Sequence, residues 1–287
     1  MAAITTTSNV GKLTNEEFDR LSALVYQECG INLPGSKKVM LESRLNKRLH
    51  ALNLDSFKEY IQLLSRAEGV ASELIHMIDV VTTNKTDFFR EPHHFTFLKQ
   101  HVLPELVVSK NPIKVWSAAC SSGEEPYTLA MVLEDFGRLH HNFRYDILAS
   151  DISTAMLQKA ALAIYPMERV AVIPTEIKKR YLLRSRDMEK PTIRIAPQLR
   201  KKVRFNRINF MDKVISVKED FDVIFCRNVL IYFDRKTQSD VILKLVSTLK
   251  PGGYLFIGHS ESLYQQDLPL VQVNPTIYKK ILIPKTI

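Results

Sequence analysis

The sequence predicts an all-α domain followed by an α/β domain whose mostly parallel sheet carries a small insertion, and three observations predict it. Apolar residues recur at helical spacing from Thr14 to about Thr82. From residue 113 onward short β-branched runs alternate with helical stretches, the pattern of βαβ units with helices on both faces of a sheet. A basic stretch at 166–204 then breaks that rhythm with prolines and short strands.

The first helix opens on Thr14 and Glu17, a capping-box pair, buries Phe18, Leu21, Leu24 and Val25, and stops at Gly30. Met40, Leu41, Leu45 and Leu49 define a second helix, and Asn53-Leu54-Asp55 marks the start of a third, in a bundle of about four. In the second half, strands are expected at 113–119, 145–150, 222–226 and 254–258, and helices at about 124–139, 153–162 and 235–249. A final strand at 276–283 follows the turn residues Asn274 and Pro275. Inside the insertion the pattern gives a helix near 175–186, a strand at 192–196 and another near 203–206. The organisation is therefore a helical domain over 1–82, a linker over 83–95, and an α/β domain over 96–287 with its insertion at about 166–204.

With 287 residues, 45% hydrophobic and 25% charged, the chain can bury a sizeable core. No apolar run reaches the length of a membrane span, and the first eleven residues carry no targeting pattern, so a cytoplasmic protein without membrane insertion is expected. Cys29, Cys120 and Cys226 lie far apart without a C-x-x-C pair, which speaks for buried thiols rather than a disulfide framework or a zinc site. The net charge of +9 suggests nucleic acid until it is located: residues 159–213 hold 15 Lys+Arg against 5 Asp+Glu, an excess of +10, so the remainder stands at −1.

Three constellations carry chemistry. Val115-Trp-Ser-Ala-Ala-Cys-Ser-Ser-Gly-Glu-Glu-Pro-Tyr127 runs from a strand through a small-residue loop into a helix, the place where a doubly wound sheet holds a nucleotide-like ligand. It lacks both G-x-G-x-x-G and the Gly-Lys-Ser/Thr ending. Glu124 and Glu125 stand where a phosphate would be cradled; they suit an ammonium or sulfonium ligand, or else complement the helix dipole. Leu148-Ala-Ser-Asp151 ends the next strand on an acid that can accept from a ribose diol or cap the following helix. Phe225-Cys-Arg-Asn-Val-Leu-Ile-Tyr-Phe233 places Arg227, Asn228 and Tyr232 after the fourth core strand. Together the first two point to an adenosine-containing cofactor with no phosphate requirement.

Five blocks in order, Thr82-Thr-Asn-Lys-Thr-Asp-Phe-Phe-Arg-Glu-Pro-His-His-Phe95, the Ala118–Tyr127 loop, Ala149-Ser-Asp151, Ile224–Phe233 and Leu249-Lys-Pro-Gly-Gly-Tyr-Leu-Phe-Ile-Gly-His-Ser-Glu261, resemble the successive motifs of the chemotaxis receptor methyltransferases, the CheR family. The resemblance implies a class I (Rossmann-like) methyltransferase sheet behind an all-α receptor-recognition domain. It also implies methyl transfer from S-adenosylmethionine to glutamates on the cytoplasmic helices of methyl-accepting chemotaxis receptors, leaving S-adenosylhomocysteine and glutamyl methyl esters that serve sensory adaptation. Carried onto matching positions, it places Asn84, Thr86 and Arg90 of the linker at the cofactor, Glu125 and Asp151 at its amino-acid and ribose parts, and Asn209 and Phe210 beside the adenine. Arg227 and Asn228 complete the pocket, Tyr232 sits beside the transferred methyl, and Arg90 and Tyr232 position the reacting groups. Family members that dock on a receptor's C-terminal pentapeptide carry a glycine-containing loop in the insertion. The corresponding stretch, 184–191, has no glycine, which puts tail-tethered recruitment in doubt.

A glutamate acceptor is ionised at pH 7 and needs no general base. Glutamate-rich receptor helices call for cations, and Lys37, Lys38, Arg44, Lys47 and Arg48 against Glu42 leave +4 within twelve residues, Arg44, Lys47 and Arg48 sharing a helix face. No metal is expected, because the adjacent His93 and His94 cannot share a helix face. Two rival readings are a nucleic-acid methyltransferase, whose Asn/Asp-Pro-Pro-aromatic run is missing here, and a regulator that binds cofactor without turnover.

Overall fold

A computed structural model describes residues 11–65, 70–109, 111–187, 189–263 and 268–281. The chain divides into two compact units, Met1–Thr83 and Asn84–Ile287.

The first unit holds helices α1 (Asn15–Cys29), α2 (Lys38–Leu52), α3 (Phe57–Leu64) and α4 (Val70–Val81). Thr14 and Glu17 make both capping-box bonds, satisfying two N–H groups that the first turn leaves open, and Gly30 closes α1 at φ 72°. Asn53 ends α2 in the left-handed region. The third helix begins later than the sequence suggested, because its cap is Ser56, whose Oγ accepts from the Glu59 N–H at 3.2 Å, rather than Asp55. Phe18, Leu21, Leu41, Leu45, Leu49 and Tyr60 are buried within this unit.

The second unit opens with α5 (Pro92–Phe97), which passes through one π-helical turn at Leu98–Val102 into α6 (Leu103–Leu106). Then follow β1 (Ile113–Ala118), α7 (Glu124–Gly137), β2 (Tyr145–Asp151), α8 (Thr154–Leu162), β3 (Ile164–Pro166), α9 (Thr175–Tyr181), β4 (Leu182–Arg184), β5 (Thr192–Ile195) and α10 (Pro197–Arg200). The unit continues with β6 (Val203–Arg207), β7 (Phe221–Cys226), α11 (Arg235–Ser247), β8 (Leu249–Ile257), β9 (Leu270–Asn274) and β10 (Ile277–Lys280).

Seven strands form one sheet in the order β6-β2-β1-β7-β8-β10-β9, and β3, β5 and β4 form a separate antiparallel sheet. Strands β6, β2, β1, β7 and β8 run parallel, while β10 is antiparallel to both of its neighbours. Three expectations change. Residues 203–207, read as part of the insertion, are the β6 edge of the main sheet, because the insertion is itself the crossover that carries the chain from β2 to its parallel neighbour. The helix expected over 175–186 stops at Tyr181, since 182–184 pair with β5. Strand β9 was not read from the sequence; it is a five-residue edge strand whose alternating apolar residues, Val271 and Val273, are exposed and too few to set a period. The core strands carry fully buried Val115, Trp116, Ile147, Phe225 and Phe256, with the last two rings stacked at 4.2 Å. All three cysteines are free and buried, and no helix among the described residues is long and apolar enough to cross a membrane.

Candidate cofactor site

The chain leaves β1 for β2 on one side and has β7 on the other, so the carboxyl ends of these strands face a topological switch point, where open α/β sheets bind ligands. The loop from β1 to α7 reaches that end through left-handed residues at Ala119 (φ 66°), Ser121 (φ 50°) and Gly123 (φ 97°). Gly123 is required twice over: a Cβ there would lie 2.8 Å from Tyr165 Oη and 2.9 Å from Ala160 Cβ. Phe89, Glu91 and Asn228, in segments bonded into the same region, are left-handed too. Such backbone costs on the order of 1–3 kcal/mol per residue, and its clustering marks a functional site.

Asp151, buried at the end of β2, accepts from the Ser121 N–H at 2.8 Å and the Ser153 N–H at 2.9 Å. It is not the cap of α8; that role belongs to Ser153, whose Oγ accepts from Met156. These two N–H donors fix the carboxylate at the strand end. Beside it the chain leaves β6 with the Ile208 N–H donating to the Asp151 carbonyl at 3.1 Å, which sets Asn209 and buried Phe210 next to the same strand end. Phe210 meets Phe233 edge to face at 6.5 Å, and Tyr232 sits half-buried in the single turn just before Phe233.

The other side of the cleft is one connected network around Arg227. Its Nε donates to Glu125 Oε2 at 2.8 Å, and its Nη1 reaches the Arg90 carbonyl at 2.9 Å, His94 Nδ1 at 3.0 Å and Glu91 Oε2 at 3.3 Å. Glu125 also accepts from Ser117 Oγ at 2.7 Å. A guanidinium only donates, so His94 Nδ1 must accept; His94 Nε2 therefore carries the proton and donates to Thr276 Oγ1 at 2.9 Å. Thr276 Oγ1 in turn gives its own proton to the Pro275 carbonyl. Burial first, and then the adjacent Arg227 charge, lower the His94 pKa to about 2, so the ring is neutral. Glu261 accepts from the N–H groups of Gly258, Asn228 and Leu230 at 2.6, 2.9 and 2.8 Å, and so fixes the start of the loop after β7. Burial raises the Glu261 pKa, while these N–H donors pull it back down. Asn228 Nδ2 completes the circuit to Glu91 Oε1 at 3.1 Å.

The linker is tied to this frame mostly through backbone. Ser121 Oγ donates to the Asn84 carbonyl at 2.9 Å, Arg169 Nη2 joins the Thr86 carbonyl at 2.6 Å to Glu124 Oε1 at 2.5 Å, and Arg90 Nη1 folds back onto the Lys85 carbonyl at 2.9 Å. The structure therefore brings together Asn84, Thr86, Arg90, Glu125, Arg227 and Asn228, with Asp151, Asn209, Phe210 and Tyr232 on the neighbouring strand ends and loops. Sequence reading missed Glu91, His94, Arg169 and Glu261. Glu91, His94 and Arg169 bond side chains 45 to 182 positions away, so only the fold announces them. For Glu261 alone a local signal exists, an acid three residues beyond a strand-ending glycine whose N–H it takes.

The residues fit a cationic, phosphate-free nucleoside. Carboxylates of Glu91, Glu124, Glu125, Asp151 and Glu261 outnumber the guanidiniums of Arg90, Arg169 and Arg227, and Arg169 and Arg227 are themselves bonded to Glu124 and Glu125. That balance repels phosphate and favours a sulfonium or ammonium group.

In the helical unit the expected substrate cations divide. Arg44 donates to the carbonyls of Val81 and Thr82 and to Thr83 Oγ1, and Arg48 makes a two-point pair with Glu73 at 3.0 and 2.5 Å. Of Arg44, Lys47 and Arg48, which share one helix face, the two arginines brace α4, because a long side chain on that face reaches the neighbouring helix. Lys38 bonds Asn15 Oδ1 at 2.7 Å, while Lys37 and Lys47 are exposed.

Fold and cleft define a Rossmann-like domain built for a nucleoside cofactor without phosphates, the class to which S-adenosylmethionine-dependent methyltransferases belong. Two family models match, "CheR methyltransferase, all-alpha domain" over residues 16–82 and "CheR methyltransferase, SAM binding domain" over residues 84–278. The chain is 41% identical over 276 residues to a chemotaxis protein methyltransferase of Borreliella burgdorferi, covering 93% of this chain and 95% of that one. It is 39% identical to chemotaxis protein methyltransferase 2 of Pseudomonas aeruginosa (92% and 93% covered) and 38% identical to the Escherichia coli chemotaxis protein methyltransferase (93% and 91% covered). The chain belongs to the CheR methyltransferase family, and its cofactor is S-adenosylmethionine.

Proposed function

We propose that the protein transfers a methyl group from S-adenosylmethionine to glutamate side chains on the cytoplasmic helices of chemotaxis receptors, forming glutamyl methyl esters. The observation that carries this reading is the likeness, over more than nine-tenths of both chains, to proteins named chemotaxis protein methyltransferases. The cofactor, when bound, supplies an electrophilic methyl on a sulfonium. Glu125 and Asp151 hold its amino-acid and ribose parts, Asn209 and Phe210 flank the base, and Asn84, Thr86, Arg227 and Asn228 complete the cleft.

The chemistry of the side chains supports a carboxylate acceptor. His94, the buried histidine of the cleft, has Nδ1 occupied by Arg227 and cannot take a proton there, so it offers no general base. An ionised carboxylate needs none. What the enzyme must supply is alignment, worth roughly 7–11 kcal/mol when geometry is fixed in advance. Arg90 and Tyr232 are assigned that role at the reacting groups, and Arg227 positions Arg90 through its backbone carbonyl.

The nucleic-acid alternative loses ground in the basic segment, where Arg169, Lys178, Arg180, Arg194 and Arg200 are each engaged by a carboxylate or a carbonyl of the protein itself. The test is transfer of labelled methyl to the cytoplasmic fragment of a chemoreceptor from the same organism, followed by mild alkali. Base-labile label on glutamate, lost in Asp151→Asn and Arg90→Ala, is the expected result. Alkali-stable label would sink the ester assignment, and cofactor binding without any label would favour the non-catalytic regulator.

A further inference from the structure

The crossover between β2 and β6 does more than carry the chain from one strand to the next: two of its side chains, four positions apart, reach back to the cofactor cleft. Tyr165, on β3, donates from Oη to the Ser122 carbonyl at 2.8 Å, and its ring meets buried Phe88 edge to face at 5.0 Å. Arg169, in the single turn Met167–Val170 after β3, joins three groups. Its Nη2 donates to Glu124 Oε1 at 2.5 Å and to the Thr86 carbonyl at 2.6 Å, and its Nη1 lies 3.2 Å from Asp87 Oδ1. One guanidinium thus links the start of α7 to two successive residues of the linker.

These contacts fall where the linker has no regular support of its own. Residues 83–87 form neither helix nor strand, so the carbonyl of buried Thr86 needs a donor from outside the segment. The Glu124 side chain is 2% exposed, and a carboxylate buried that deeply needs a cation. Arg169 is that cation, with Ser122 Oγ on the other oxygen at 2.7 Å. Beyond Asp87 the chain turns: the Arg90 N–H donates to the Asp87 carbonyl at 3.3 Å, and Arg90 Nη1 folds back onto the Lys85 carbonyl at 2.9 Å. Thr86 and Asp87 are therefore the base from which Arg90 is presented, and Arg169 holds both.

We propose that Arg169 is a positioning residue for methyl transfer: it sets the Thr86–Asp87 base of the linker against the cofactor loop and so aims Arg90 at the reacting groups. The aim of Arg90 rests on the function proposed above; the hold on the linker does not. A lysine cannot take over this work. Its ammonium is a point charge that can still face Glu124, whereas three partners on two segments need the rigid fork of a guanidinium.

Arg169→Lys and Arg169→Ala in the full chain test this. Arg169→Lys keeps a charge beside Glu124, so its thermal unfolding should stay close to that of the unaltered chain, and it serves where alanine is not tolerated. S-adenosylhomocysteine affinity, read by calorimetry, is expected to fall severalfold in both variants, because Thr86 is no longer held at the cleft. At saturating S-adenosylmethionine, kcat for a receptor fragment should fall about tenfold to a hundredfold, the range that a small misplacement of reacting groups costs, with KM for the fragment unchanged. The Arg169 side chain is 36% exposed, so added ethylguanidinium should recover part of kcat in Arg169→Ala. Unaltered kcat and cofactor affinity in Arg169→Lys, or losses no larger than the loss of folded protein, would overturn the proposal and leave Arg169 a counter-charge for Glu124. If the unaltered chain methylates no receptor fragment, the function proposed above falls and calorimetry decides Arg169 alone: weakened affinity in folded Arg169→Lys upholds its hold on the linker, and equal affinity overturns it.

Discussion

Arginine does different work in the two units. On α2, Arg44 and Arg48 stand at the spacing of a solvent-facing stripe, yet both are spent on the bundle itself, bracing the end of α4 and pairing with Glu73. At the switch point, Arg227 is equally engaged with the protein, but its partners Glu125, Glu91 and the Arg90 carbonyl are the groups that shape a ligand cleft. The first pair holds a fold together; the second arginine holds a site in shape. Spacing along the chain does not distinguish these two uses. The identity of the partner does.

The sharpest way to break the comparison is Arg227→Ala. The side chain is 2% exposed, and its removal leaves Glu125 and Glu91 buried without their cation, which costs about 3–5 kcal/mol. Denaturant unfolding should show that loss, and methyl transfer should vanish with it. A milder change tests whether the wall after β7 is a separate element. Glu261→Gln keeps the shape but replaces a charged acceptor of three N–H groups by an amide with one oxygen, for an expected loss of about 2–3 kcal/mol. S-adenosylhomocysteine affinity measured on the folded variant should fall too, because Asn228 loses its anchor. Unaltered affinity would mean that the loop is held by Glu91 alone.

How far the sequence was legible follows the same division. The capping box at Thr14, the alternation of strands and helices, and acids ending the first two strand–loop units were readable because each is a local pattern with a local cause. Strand β9 escaped because it is a short edge strand whose two alternating valines, Val271 and Val273, face water. Glu91 escaped because nothing near it in the chain explains a left-handed, largely buried acid; its reasons are Arg227 and Asn228, more than 130 positions on. Helix-face spacing separates His93 from His94, yet their ring centroids lie 4.1 Å apart, and His259, from just beyond β8, joins them where no local pattern could show it.

Arg48→Ala takes the comparison into the helical unit. The Arg48 and Glu73 side chains are 18% and 7% exposed, and Tyr60 Oη donates to the same carboxylate at 2.8 Å, so the loss of the charged partner should cost about 1.5–2 kcal/mol. S-adenosylhomocysteine affinity, read by calorimetry at a temperature where the variant is folded, should not change. If receptor methylation falls further than the loss of folded protein explains, Arg48 contributes to the substrate as well as to the bundle, and the division between bracing and binding fails on this helix.

The smallest effect on stability should accompany the cleanest effect on function. Lys37 and Lys47 are exposed, so Lys37→Ala and Lys47→Ala should leave stability within about 0.5 kcal/mol. Their charge is nevertheless what an acidic receptor helix would meet first, and attraction between exposed charges is screened over roughly 8–10 Å at physiological salt. The double variant should therefore slow methylation of a receptor fragment severalfold at low salt and converge on the unaltered rate as salt rises, with S-adenosylhomocysteine affinity the same throughout. A deficit that persists at high salt would mean a fixed contact rather than steering. No deficit at any salt would remove these lysines from the substrate surface and move the search to the basic insertion, where Lys179, Arg184 and Arg186 are exposed.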